Sequence, residues 1–287
     1  MSEHHEHDDF GGLHRDLRAT GAVIDRRGLL RLAATFGGAV GALQLIGCSS
    51  DTPTSPTTTP TPTTTATSTP PTATTPTTGA TCSRIPEETA GPFPANGSNG
   101  PSVLNQTGVV RSDIRTSFAG LSGTADGVPL TIALTIVSAS TCAPLAGRAV
   151  YIWHCDRPGR YSLYSAGATN QNYLRGVQET NANGVVTFTT IYPGCYAGRW
   201  PHIHFEVYPS LASATSVANK SATSQIALPK ATNDVVYAVA GYEDSVRHAA
   251  QVTLASDSVF RDGSSLELAT ITGTVAAGFT ATLTVAV

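Results

Sequence analysis

The chain has 287 residues, a formal net charge of −3 at pH 7, and a composition that is 40% hydrophobic and only 13% charged. This balance provides neither a basic patch nor an acidic tail, which excludes nucleic acid as the expected partner. The 27 glycines and the scarcity of lysine are typical of a dense, turn-rich extracellular β-protein.

The N-terminal segment has the features of an export signal. Arg26 and Arg27 precede a short apolar run, rich in Gly and Ala, that ends at Cys48. This pattern is typical of a twin-arginine signal closed by a lipoprotein cleavage box, whereas a transmembrane anchor would need about 20 apolar residues. We expect residues 1–47 to be removed and Cys48 to be acylated. The protein would then be lipid-anchored on the outer face of the cytoplasmic membrane or at the cell surface.

The next segment, residues 48–80, consists almost entirely of Thr, Pro, Ser and Ala. Such a segment has no apolar side chains to bury, and its prolines keep it extended. The sequence therefore predicts a tether, followed by one folded domain over residues 81–287.

The cysteines of the predicted mature chain suggest disulfides. Once Cys48 is assigned to the lipid, Cys82, Cys142, Cys155 and Cys195 form an even set in an oxidising compartment. Three pairings are possible. We expect Cys155 to pair with Cys195, and Cys82 with Cys142, because the segments around the first pair are expected to converge. Free thiols are the alternative.

The folded domain is predicted to be all-β. Segments rich in Val, Ile, Thr and aromatic residues are separated by turns that contain glycine. One short helix is expected near residues 233–241. The sequence therefore predicts a β-sandwich with long loops and little helix, with strands at 130–137, 149–153, 184–191, 202–208 and 279–287.

The strand HIHFEVY carries a candidate metal site. Because alternate side chains share a face of a strand, His202 and His204 lie on one face, and Ile203 and Phe205 on the other. Zinc hydrolases and jelly-roll oxygenases both use this histidine spacing, so the pair alone does not identify the metal. Glu206 is the sole nearby acid on the same face, and a zinc hydrolase that uses these three residues is one alternative.

Tyrosine is the other abundant candidate ligand. Two further histidines remain in the predicted mature chain, whereas the full sequence contains nine tyrosines. A phenol with a pKa near 10 is a poor ligand, but a hard trivalent cation can hold it as the phenolate. A combination of phenolate and imidazole therefore points to ferric iron.

Two runs of this sequence, residues 149–165 and 173–208, resemble the signature region of the intradiol ring-cleavage dioxygenases. The likeness begins at EETAGPFP (87–94) and continues through TSQIALP (223–229) to the closing strand. The resemblance implies a non-haem iron(III) enzyme whose partners are a small aromatic diol and O2, and whose products are cis,cis-muconate-type diacids. It leaves the natural substrate and the oligomeric state open. A non-catalytic extracellular binding module is the remaining alternative.

The resemblance also implies an iron-ligand set, which consists of Tyr161, Tyr196, His202 and His204. Tyr164 lies three residues after Tyr161 and is its rival, although we expect it to be a loop or pocket residue.

The resemblance further assigns roles around the metal. Tyr196 is the ligand that leaves and accepts a substrate proton, while Tyr161 stays bound. Arg199 is expected to stabilise negative charge that develops during the reaction, with Gln225 beside the same pocket. Trp153 is either an aromatic pocket wall or a core residue.

Overall fold

A computed structural model describes residues 82–287 as two packed four-stranded β-sheets with long connecting loops. The predicted all-β sandwich is confirmed. The predicted signal peptide, the tether and Cys48 lie outside the described residues. Within residues 82–287, no helix is long and apolar enough to cross a membrane.

The strand order defines two sheets. The strands are β1 (Pro129–Val137), β2 (Ala149–Trp153), β3 (Arg175–Glu179), β4 (Val185–Ile191), β5 (His202–Tyr208), β6 (Ala222–Ala227), β7 (Thr270–Thr274) and β8 (Gly278–Ala286). Sheet I has the order β4-β1-β8-β7, and sheet II has the order β3-β2-β5-β6. The β1–β8 pair is parallel, and the other pairs of named strands are antiparallel.

The main core lies between the two sheets. In β1, burial alternates along the strand, so that Leu130, Ile132 and Leu134 are inside. In β5, Ile203 and Phe205 enter the same core from the opposite sheet. Alternation of this kind places the other residues of each strand on the outer faces of the sandwich.

Sheet II is also covered on its outer face. Every residue of β2, β5 and β6 is buried. A second hydrophobic cluster on this face joins Tyr151 and Trp153 of β2 to Val103, Val109 and Phe118 of the loops before β1. Ala95 belongs to the same cluster, and we call its segment, residues 85–99, the strap. The strap and the loops before β1 together cover the outer face of β2 and β5.

The helical content differs from the expectation. The described residues contain two α-helices, α1 (Lys230–Tyr237) and α2 (Glu243–Ala249), and two 3₁₀ turns, Val217–Asn219 and Phe260–Asp262. The predicted single helix near 233–241 is therefore wrong in its start and in the number of helices. The first helix begins directly after Pro229, whose fixed φ suits a position next to a helix start.

The disulfide prediction is half right. Cys82 and Cys142 are bonded, with a sulfur–sulfur distance of 2.06 Å. The predicted Cys155–Cys195 bond is wrong, because both residues are free and buried. Each of these two thiols instead donates a hydrogen bond to a backbone carbonyl 3.4 Å away. The two segments do converge, but a disulfide also requires that the two side chains point toward each other.

Candidate active site

Four side chains converge above sheet II. The distance from Tyr161 Oη to His202 Nε2 is 3.3 Å, and the distance from Tyr196 Oη to the same nitrogen is 3.2 Å. His204 Nε2 lies 3.1 Å from His202 Nε2. The structure therefore brings together the four residues that the sequence predicted as metal ligands.

These separations fit donors that share one metal ion. Nitrogen and oxygen ligands bind at about 2 Å in zinc sites, so two ligands of one ion lie about 3 Å apart. The described residues contain no cluster of three or more His, Cys, Asp or Glu side chains that could hold a metal. A metal at this position would therefore need the phenol oxygens, which as phenolates suit a hard cation such as iron(III).

The tautomer of His202 is fixed by its backbone contact. His202 Nδ1 lies 2.5 Å from the carbonyl oxygen of Trp200. A carbonyl can only accept a hydrogen bond, so Nδ1 carries the proton and Nε2 presents its lone pair to the two tyrosines. Burial and the nearby Arg199 hold the pKa of His202 well below its usual range. The imidazole is therefore neutral, as a metal ligand must be.

His204 lies in a row of side chains that crosses three strands. Trp153 in β2 and Gln225 in β6 are its direct cross-strand neighbours. The Trp153 ring stacks on the imidazole with a centroid separation of 4.9 Å and an interplanar angle of 4°. Trp153 is fully buried. The Trp153 ring therefore packs flat against the His204 imidazole from the neighbouring strand.

The two candidate tyrosine ligands differ in exposure. Tyr161 follows β2 and is only 2% exposed, whereas Tyr196 precedes β5 and is half-buried. Burial raises the pKa of Tyr161 well above its usual value, so its phenolate would require a strong cation. The loops that carry them touch at Gly159, where an added Cβ would lie 3.3 Å from the Tyr196 Cβ at a positive φ.

Asp156 shapes the turn that delivers Tyr161. Its Oδ1 accepts a hydrogen bond from Arg160 N at 2.8 Å, and its Oδ2 accepts from Arg160 Nε and Tyr173 Oη, both at 3.0 Å. The sequence prediction did not include this residue. Its only signal was the turn DRPGR, in which an aspartate commonly caps the backbone.

Arg175 fastens the strap to the same loop. This fully buried side chain donates from Nε to Ser162 Oγ at 2.9 Å, and from Nη2 to the carbonyls of Phe93 and Ser162 at 2.9 and 3.0 Å. Its Nη1 reaches the Pro94 carbonyl at 3.0 Å and Tyr151 Oη at 3.3 Å. The prediction missed Arg175 because it begins a strand without an alternating pattern.

Tyr164 is directed to the strap. Its hydroxyl accepts a hydrogen bond from Ala95 N at 2.9 Å and donates to the Asn99 carbonyl at 3.0 Å. The hydroxyl of Tyr161, in contrast, lies within hydrogen-bonding distance of His202. The geometry therefore supports Tyr161 as the ligand and Tyr164 as a loop residue.

Arg199 is buried beside the ligands in a polar network. Its Nε donates to Asp257 Oδ2 at 3.0 Å, and its Nη2 donates to Gln225 Oε1 at 2.7 Å. Gln225 in turn donates to the Thr89 carbonyl at 2.9 Å. Burial alone would lower the pKa of Arg199, but Tyr196 and Asp257 raise it above its usual value. The guanidinium is therefore a permanent positive charge.

Glu206 is engaged elsewhere. Its Oε1 accepts a hydrogen bond from Asn96 Nδ2 at 2.7 Å, and its Oε2 accepts from Tyr208 Oη at 2.6 Å. Both carboxylate oxygens thus have partners away from His202 and His204. This arrangement argues against the zinc hydrolase alternative, which needs Glu206 as a ligand.

The remaining buried histidine is also occupied. Within the described residues, His154 contacts the Cys155 carbonyl through Nδ1 at 2.8 Å and Thr190 Oγ1 through Nε2 at 2.7 Å. Burial lowers its pKa to about 4. His154 is therefore a neutral, hydrogen-bonded residue with no ring nitrogen left for a metal.

Comparisons with known proteins bear on this site. A family model described as dioxygenase matches residues 99–217. The intradiol ring-cleavage dioxygenase from Tetranychus urticae is 27% identical over 71% of this chain and 94% of that chain, with a TM-score of 0.56. No curated protein sequence matches significantly.

Two bacterial structures are more distant. The dioxygenase domain of a carbohydrate-binding fusion from Streptomyces sp. SirexAA-E is 21% identical over 71% of this chain and 97% of that chain, with a TM-score of 0.45. Catechol 1,2-dioxygenase from Pseudomonas arvilla C-1 is 18% identical over 70% of this chain and 61% of that chain, with a TM-score of 0.43. The family model and the Tetranychus structure agree with the resemblance seen in the sequence. Residues 99–217 match the dioxygenase family, and the chain is similar to the intradiol ring-cleavage dioxygenases in sequence and fold.

Proposed function

We propose that this domain is a non-haem iron(III) dioxygenase that cleaves catechol-type diols between their hydroxyls to give cis,cis-muconate-type diacids. The observation that carries the proposal is the convergence of two phenol oxygens and two imidazole nitrogens. The hydroxyls of Tyr161 and Tyr196 and the Nε2 atom of His204 all lie 3.1 to 3.3 Å from His202 Nε2.

The donor set also suits the charge of the metal. Two phenolates offset two of the three positive charges of iron(III), whereas the neutral imidazoles of His202 and His204 add none. When bound, the iron would accept electron density from the catecholate, which makes the ring reactive toward O2 without an external reductant.

The exposure of the two tyrosines suggests which one moves. Tyr196 is half-buried, so its phenolate Oη can accept one proton of the incoming diol and turn aside as a neutral phenol, while a hydroxide ion takes the second proton and leaves as water. Tyr161 is 2% exposed, and its ring packs against the Phe93 ring with a centroid separation of 5.1 Å, which restrains its movement. We therefore assign proton acceptance to Tyr196 and permanent ligation to Tyr161.

Arg199 supplies the positive charge that opposes negative charge on the reacting substrate. A donor that is fixed before the reaction and shielded from water stabilises such charge more strongly than a solvated one. Arg199 is 2% exposed and hydrogen-bonded to Gln225, so both conditions are met. Gln225 helps to hold the guanidinium in place.

Metal analysis of the purified protein tests this proposal. We expect one iron(III) per chain and a broad visible phenolate-to-iron band that disappears on reduction. Catechol should be consumed with one equivalent of O2, and the diacid should appear by its ultraviolet absorbance. A colourless protein with stoichiometric zinc, prepared with ample iron, would contradict the proposal and favour a hydrolase. An iron-free protein that binds catechol without turnover would favour a binding module.

We also propose that the enzyme is exported and lipid-anchored through Cys48. The support is the sequence pattern of Arg26, Arg27 and the short apolar run that ends at this cysteine. Intact mass of the mature protein should show an acylated Cys48, and replacing both arginines by lysine should retain the precursor inside the cell. A mature protein that keeps residues 1–47 would contradict this.

A further inference from the structure

Asp257 is a buried carboxylate that lies 58 positions after its partner Arg199 in the sequence. It lies in the loop between α2 and the Phe260–Asp262 turn, and it has no measurable exposure. Its Oδ2 accepts from Arg199 Nε at 3.0 Å, and its Oδ1 lies 3.5 Å from Arg199 Nη2. The two side chains therefore form a buried ion pair next to the candidate metal ligands.

The backbone holds Asp257 itself in one position. Its Oδ2 accepts from Trp200 N at 2.6 Å. Its Oδ1 accepts from Val259 N at 2.8 Å and from Phe260 N at 3.1 Å. With these three amide donors the carboxylate cannot turn, and it offers Arg199 a rigid partner.

The guanidinium of Arg199 is consequently fixed along one edge. Its Nε and Nη2 donate to Asp257 and Gln225, whereas Nη1 makes no hydrogen bond to any described residue. An arginine has five N–H donors in a rigid planar fork, so fixing two nitrogens also fixes the third. The Nη1 group is thus left available to a bound substrate.

We infer that Asp257 is a positioning residue, which orients Arg199 so that the free Nη1 group meets the negative charge that develops on the substrate. This inference rests on the ring cleavage proposed above. Asp257 has two opposing effects on catalysis. Its negative charge weakens the field of Arg199, while its hydrogen bonds hold the fork in place. The hydrogen bonds that orient Arg199 have the larger effect on kcat.

The competing interpretation is that Asp257 serves only the fold. Its bonds to Trp200, Val259 and Phe260 would then stabilise the loop, and Arg199 would be incidental to them. The two interpretations differ in whether the effect of replacing Asp257 depends on the presence of Arg199. A double-mutant cycle measures this dependence.

The cycle consists of wild type, Asp257→Asn, Arg199→Met and the double variant, compared at matched iron content with catechol and O2. We expect Asp257→Asn to lower kcat about 10- to 100-fold, the range typical of residues that support a metal site from outside it. KM, bound iron and the visible band should change little. In the Arg199→Met background, the same replacement should change kcat less than about twofold if the cycle is fully coupled.

Two outcomes would overturn the inference. An equal loss of kcat in both backgrounds would make Asp257 a residue of the fold. An unchanged or increased kcat in Asp257→Asn would show that its charge opposes the reaction more than its hydrogen bonds help. If Asp257→Asn does not fold, Asp257→Glu serves as the second variant, because it keeps the negative charge but moves it. The Asp257→Glu variant should retain its iron and have a lower kcat, and full activity would count against the inference.

A second readout separates this inference from the proposed function. The urea midpoint of Asp257→Asn should fall more in the Arg199 background than in the Arg199→Met background, because removing one partner leaves a buried charge uncompensated. The control is Asp244→Asn, which removes an ion pair to Arg247 whose side chains are 65% and 62% exposed. It should move neither the midpoint nor kcat.

If wild type fails to turn over any catechol while the midpoints are coupled, the proposed function is wrong and the buried pair is only structural. If the midpoints show no coupling, Asp257 does not hold Arg199, and the inference is overturned whatever the activity.

Discussion

The two sheets of the sandwich share one core but differ on their outer faces. In sheet I, β1 alternates between buried and more exposed residues, and β7 is largely exposed. In sheet II, β2, β5 and β6 are buried along their whole length. The strap and the loop after β2 cover sheet II, whereas the outer face of sheet I carries threonines in contact with water.

This difference explains why the candidate metal site lies on sheet II. A covered sheet face can hold imidazoles, phenols and guanidinium groups away from water, provided that each group has a hydrogen-bonding partner. Glu206 with Asn96, and Arg175 with the carbonyls of the strap, meet that condition. On the outer face of sheet I, by contrast, alternate residues of β1 and β8 are partly or fully exposed.

The largest expected effect is on the covered face, where Tyr161→Phe removes a proposed ligand. We expect the visible band to disappear or to shift strongly. Turnover should fall by more than about 100-fold, because residues outside the ligand set typically cost 10- to 100-fold. Absorbance, bound iron and O2 uptake measure this. Tyr164→Phe is the matched control, since its hydroxyl bonds to the strap, and it should keep its iron. Opposite behaviour of the two variants would reverse the ligand assignment.

The second-largest effect is expected on stability, in the core between the two sheets. Phe205→Ala empties part of the core on the inner side of β5, opposite His204, and should lower the free energy of unfolding by about 3–5 kcal/mol. Urea unfolding measures the loss. The fraction that remains folded should keep its bound iron, because Phe205 lies on the other face of the strand. Loss of iron from folded protein would show that the two faces of β5 are not independent.

Arg199→Ala tests whether Arg199, on the covered face, is needed for the reaction but not for binding the metal. The variant should keep its iron and colour but lose about 3 kcal/mol of transition-state stabilisation, or on the order of a hundredfold in kcat. Arg199→Lys should recover little, because a single ammonium cannot reproduce the planar fork held by Asp257 and Gln225. Stopped-flow O2 consumption at matched iron content measures both variants. Full turnover in Arg199→Ala would make the residue a bystander.

The smallest effect is expected on the open face of sheet I. Thr284 in β8 is exposed, and it neighbours Thr135 in β1. Thr284→Ala should change the free energy of unfolding by no more than about 0.5 kcal/mol and leave kcat unaltered. Urea unfolding and O2 uptake check this. A loss as large as that of Phe205→Ala would contradict the contrast between the two sheets.

The sequence was sufficient for most of the fold. Alternation and apolar runs predicted β1, β2, β4, β5 and β8 nearly to their ends, because local pattern and burial agree there. The strands β3 (RGVQE) and β7 (TITGT) are short and lack such a pattern. They depend on pairing with neighbours, which a single segment does not reveal.

The candidate site was predicted in part, for a similar reason. Tyr161, Tyr196, His202 and His204 stand at family spacings, so the resemblance identified them. Asp257 has no local motif, and its contact with Arg199 exists only in the folded chain.

The free thiols are a different kind of error. Cys155 and Cys195 lie in segments that do converge, but disulfide formation depends on the direction of each sulfur, which sequence spacing does not encode.

The Cys82–Cys142 bond determines where a pulling force would enter the domain. Cys82 is held covalently to the turn after β1, and its amide also donates to the Ala139 carbonyl at 3.0 Å. The strap begins only after this point, and its Thr89 and Pro94 carbonyls accept hydrogen bonds from the buried side chains around the site. A load applied through the residues before Cys82 would therefore pass into sheet I and would not peel the cover from the reactive centre.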